Sequence, residues 1–74
     1  MRDDNRNLAR QLFALATERL EAAHEIAMEG QRAGLAAQAY SDMARRLEAT
    51  VHDVATLAAA IATVVKSAQD RNTN

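Results

Sequence analysis

Between Val51 and Val65 the chain carries almost nothing polar. From Val54 to Val65 every residue is Val, Ala, Leu or Ile apart from Thr56 and Thr63. A helix that is apolar nearly all round must be covered nearly all round, and one neighbour cannot do that. The stretch sits inside a longer pattern: Ala36, Tyr40, Met43, Leu47, Thr50, Val54, Leu57, Ile61, Val64 and Ala68 are spaced alternately by four and three. That is a heptad seam of about four repeats, the spacing of coiled-coil packing. A parallel row, Ala44, Val51, Ala58 and Val65, widens the apolar face. Thr50-Val51-His52-Asp53 resembles a capping box, yet the apolar period runs through it unbroken. One continuous helix is therefore expected over about 35–69, with a polar tail at 70–74.

A second pattern precedes it. Apolar residues at 8, 12, 15, 16, 20, 23, 26 and 27 form one stripe of an amphipathic helix expected over about 5–29. Residues 1–6 are polar and read as frayed, with Asp3, Asp4 and Asn5 as possible N-caps. The pattern stops at Glu29-Gly30-Gln31-Arg32-Ala33-Gly34. Gly30 is placed as the left-handed residue that ends a helix, and Gly34 supplies a second permissive position. The turn is thus expected over about 30–34. The alternative of one unbroken helix would cost only about 2 kcal/mol for the two glycines. Its stripe and seam are out of phase, however, and Glu29–Arg32 is too polar for a seam. The reading is all-α: a single domain over 1–74, folded as a two-helix antiparallel hairpin with unequal helices.

Folding that hairpin symmetrically about residue 32 sets Leu8 opposite Leu57. The end of the second helix then lacks an intramolecular neighbour, and an uncovered apolar surface of that size marks an interaction site. Val54, Leu57, Ala58, Ile61, Val64, Val65 and Ala68 are the expected partner interface. The expected assembly is a dimeric four-helix bundle, a homodimer or a pairing with another helical protein. Arg19 falls near the centre of the first stripe, level with Arg46 to Thr50. With Thr50 it could form a polar layer that fixes register, paired to Glu48 or to a partner-chain carboxylate. Tyr40 is placed to cover Ala27 and Gly30.

Composition sharpens this. Seventy-four residues with no Cys and no Pro leave association as the natural way to stabilise a small core. Eight Arg to one Lys, together with abundant Ala, fits a GC-rich bacterial coding sequence. A net charge of -1 disfavours nucleic-acid binding. Rows of Arg at 2, 6, 10, 45 and 46 keep it as the competing class, although Asp3, Asp4, Asp42 and Glu48 sit among them. Glu21 with His24, and Glu48 with His52, have spacings that place two ligands on one helical face. On a helical wheel both pairs point mostly outward, so no metal or cofactor is expected and a metal-binding bundle ranks as a distant third reading. No nucleophile lies beside a base and no phosphate loop is present, so no enzymatic activity is expected. The run Val54–Val65 is too short to span a bilayer and no signal segment precedes it, which gives a cytoplasmic expectation.

In length, Ala content and hairpin form the chain is similar to the small co-chaperones of type III secretion needle subunits. The secreted WXG-type hairpins differ in placing a Trp at the turn, and this chain has none. The similarity covers no motif, so it assigns no residue a role. It agrees with an adaptor, small chaperone or regulatory subunit.

Overall fold

The computed structural model describes residues 2–72, with side chains for residues 4–70. Two helices, α1 (Arg2–Glu29) and α2 (Ala37–Asn72), pack side by side along a molecule 60 Å long and only 14 by 12 Å across. The all-helical hairpin is as the periodicity requires. Both helices run past their expected ends: α1 starts at Arg2 rather than near 5, and α2 continues to Asn72 rather than 69. Arg2–Arg6, expected to fray, is helical, as are positions 70–72 of the expected tail. Met1, Thr73 and Asn74 lie outside the described residues. No break occurs at Thr50. Its hydroxyl donates to the Arg46 carbonyl at 2.8 Å instead of capping a new helix.

The connection is longer than the expected turn. Gly30 N–H still closes an α-type bond to the Ile26 carbonyl at 3.0 Å, and Gln31 and Arg32 tighten the end onto Met28 and Glu29 at 3.1 Å each. Gly30 is not left-handed. Among the described residues the positive φ belongs to Gly34, at 82°. The Tyr40 hydroxyl donates to the Arg32 carbonyl at 2.6 Å, holding the connection against the first turns of α2. Residues 30–36 thus climb beside α2 before entering it, and this resets the register. Ile26 and Gly30 meet Met43 and Leu47 around one surface depression, and Arg19 shares another with Asp53 and Leu57. Continued along the helices, the same register sets Leu12 level with Ile61 and Ala9 level with Val64.

The contact seam of α1 is built from small residues. Ala9, Ala16 and Ala23 recur every seven positions and are buried or half-buried, with Gly30 next in the series and Leu12 and Ile26 between them. From α2, Met43, Leu47, Thr50, Val54, Leu57, Ile61, Val64 and Ala68 face them and are half-buried or buried. Small side chains on one ridge admit larger ones from the other, which lets two helices approach closely. Only Ala9, Ala23 and Ile61 are buried hydrophobic residues among those described. Leu8, Leu15 and Leu20, expected inside the α1 stripe, are exposed, because the seam follows the alanines and leaves the leucines on its two flanks.

A candidate interaction surface along one side of the hairpin

Two heptad rows flank the seam on the same side. Phe13, Leu20 and Ala27 run along α1, and Ala44, Val51, Ala58 and Val65 along α2. Residues seven apart return to the same helical face, so each set forms a continuous strip. Ala27 and Ala44 line one depression together, which places the two strips on one side of the hairpin. The large members stand open: Phe13 is 58% exposed, Leu20 54% and Val51 52%. The opposite side is different in kind. There Leu15 and Arg19 lie with Asp53 and Thr56, and Ala22 and Glu29 with Arg46. One side is therefore alkyl and aromatic along its centre, bordered by Arg45 and Glu48 beside Ala44 and Val51 and by His24 beside Leu20, whereas the other mixes Leu15 with charged residues.

This geometry divides the expected interface. Val54, Leu57, Ile61, Val64 and Ala68 belong to the intramolecular seam, and Ile61 is only 7% exposed within a single chain. The expectation that residues beyond Ala58 lack an internal neighbour does not hold. The seven-residue connection shifts α1 along α2, and the early start of α1 extends it over the same end. Ala58 and Val65 remain exposed and belong to the apolar side. Tyr40, at the end of that side, lines one depression with Ala27 and Gly30 and is itself exposed.

The register pair is also rearranged. Arg19 is exposed and level with Asp53 to Leu57, not with Glu48 and Thr50. Among the described residues its side chain makes no hydrogen bond or ion pair. Thr50 is half-buried in the seam, one turn further toward the loop, with its hydroxyl satisfied by its own helix. A shared polar layer does not form within the hairpin, because the connection slides the two residues apart.

Glu21 and His24 line a shallow exposed depression with Thr17, Leu20 and Glu25. Glu48 and His52 are exposed on the outer surface of α2. Among the described residues no group of three or more His, Asp or Glu side chains is arranged to hold a metal. The arginine rows are not brought together. Arg6 and Arg10 lie near the open end of the hairpin, whereas Arg45 and Arg46 lie near the loop. Arg45 is ion-paired to Asp42, which also accepts from Gln38 at 3.1 Å. Arg46 shares its depression with Glu25 and Glu29.

By length and composition alone, α2 is a helix that could cross a membrane, a test that the run Val54–Val65 by itself does not meet. No family model, curated protein or solved structure matches this chain.

Proposed function

We propose that the chain is a helical protein–protein interaction module that acts by burying its apolar side in an oligomer, with a four-helix bundle as the assembled form. The supporting observation is the pair of open heptad strips, Phe13-Leu20-Ala27 and Ala44-Val51-Ala58-Val65, beside a seam with only three buried hydrophobic residues among those described. A helix in a bundle needs one face for its hairpin mate and another for the second pair of helices. Both helices here carry that second face, and on the same side. Its work would be that of an adaptor, small chaperone or regulatory subunit, carried by shape and apolar area. The strips lack the nucleophile, base or ligand cluster that chemistry would need.

Charge placed on the two sides tests this reading. Leu20→Glu or Val51→Glu would bury an unpaired carboxylate in the assembled interface, at a cost of several kcal/mol. Leu15→Glu adds the same charge to the charged side. Loss of the oligomer in the first two variants but not the third, read by light scattering, is expected. Equal behaviour of all three would remove the apolar side as the interface.

A further inference from the structure

The apolar side has the shape and the area to receive a second copy of itself. An 8.1 kDa folded monomer exposes about 4,500 Å² by the usual scaling of surface with mass. This hairpin exposes 5738 Å², an excess of about 1,200 Å² per chain. That excess belongs to the rod shape as a whole, but one long side of a molecule 60 Å by 14 Å presents about 800 Å² in projection, the area that a stable interface buries per subunit.

The strips also match themselves. Run antiparallel to its own copy about Leu20, the α1 strip sets Phe13 against the partner's Ala27 and Leu20 against the partner's Leu20. Run antiparallel about the midpoint of Val51 and Ala58, the α2 strip sets Val51 against the partner's Ala58 and Ala44 against the partner's Val65. Each large residue away from the centre meets a small one, the alternation that interdigitating layers require. The two centres also coincide. Arg19 is level with Asp53 to Leu57, so Leu20 and the Val51–Ala58 midpoint lie at about the same height along the hairpin. One two-fold axis, perpendicular to the helices at that height, generates both pairings. Ala55 and Ala62 border the α2 strip in a heptad row that also carries Ser41 and Glu48 beside Ala44 and Val51, so the two α2 helices approach most closely at the alanines.

We infer that the chain forms an isologous dimer through this side, with α1 against the partner's α1, α2 against the partner's α2, and the two loops at opposite ends. A two-fold axis parallel to the helices would instead set each α1 against the partner's α2. It would place the loops together and lose the large-to-small matching of each strip with itself. The inference rests on the association reading above and specifies its geometry.

Cysteine crosslinking decides it, because the native chain has no thiol to interfere. The unaltered protein should scatter light as a species of twice the monomer mass. Mildly oxidised Leu20→Cys should convert to a disulfide-linked dimer, and so should Ala55→Cys, a gentler change near the same axis. Phe13→Cys and Ala27→Cys should each stay unlinked alone but join when mixed and allowed to exchange subunits. Circular dichroism of each reduced variant checks that the helices persist. A dimer in which Leu20→Cys and Ala55→Cys stay unlinked, while Leu20→Cys joins Val51→Cys on mixing, would overturn this pairing and leave the association standing. A folded monomer in buffer, or a chain soluble only with detergent, would overturn both.

Discussion

At the scale of single residues, the two glycines have different jobs. Gly34 holds a φ of 82°, a region that costs an L-residue with a Cβ about 1–2 kcal/mol. Open space around it does not help, because the strain is in the backbone. Gly30, one residue past the end of α1, has no positive φ, and a Cβ there would make normal contacts with the Ala27 and Ile26 carbonyls at 3.5 Å. Gly34→Ala should therefore lower stability by about 1–2 kcal/mol. Gly30→Ala should leave it unchanged or raise it by up to about 1 kcal/mol. Urea melts of the two variants check both, and the opposite order would mean that the connection is held some other way. The sequence marks both positions as permissive but does not say which is left-handed. That depends on how far the α1 hydrogen bonding continues past Glu29.

At the scale of the helices, the alternation of small and large residues decides which faces meet. Ala9, Ala16 and Ala23 look unremarkable in the sequence, where the eye follows Leu8, Leu12, Leu15 and Leu20. In the fold the alanines are the contact ridge and three of the four leucines are open. Ala23→Leu should overfill this ridge and cost about 1–3 kcal/mol. Leu8→Ala, on an exposed flank, should cost much less, and thermal melts of the pair would reveal a misplaced seam. The same logic separates two neighbours on α2. Ile61→Glu places a charge in the hairpin seam and should abolish folding, read as loss of helical circular dichroism. Val65→Glu lies on the apolar side and should keep the helices while weakening assembly. If Val65→Glu also unfolds the chain, the hairpin has no stability outside the oligomer. The continuity of α2 was legible in its unbroken apolar period, and its threonines Thr50, Thr56 and Thr63 bond back to carbonyls four residues earlier at 2.8–3.1 Å and break nothing.

At the scale of the whole molecule, a rod 60 Å long and two helices thick has little interior, and among the described residues only Ala9, Ala23 and Ile61 are buried hydrophobic ones. Its exposed apolar side is consistent with association supplying the remainder. If so, the melting temperature should rise with protein concentration, as mass action requires for a folded oligomer in equilibrium with unfolded chains. A melting temperature constant over a hundred-fold dilution would show a hairpin that stands alone. The expected overhang of α2 failed at this scale. A symmetric turn about residue 32 would have left Ile61 uncovered, whereas the seven-residue climb from Gly30 to Ala36 sets it level with Leu12, and it is buried. What remains uncovered is therefore one long side of the hairpin rather than one end of a helix.

The sequence by itself determined the helices, their continuity and the existence of more apolar surface than one hairpin can hide. These follow from neighbours three and four residues apart, whose relative positions the helical backbone sets without reference to the rest of the chain. Only the tertiary structure decided the register, the alanine ridge and the separation of Arg19 from Thr50. It also decided that Ile61 and Val64 face inward while Val51 and Val65 face out. Those depend on the path of the connection and on which small residues let the helices close. Both are relations between segments distant in sequence, and no periodicity within either segment records them.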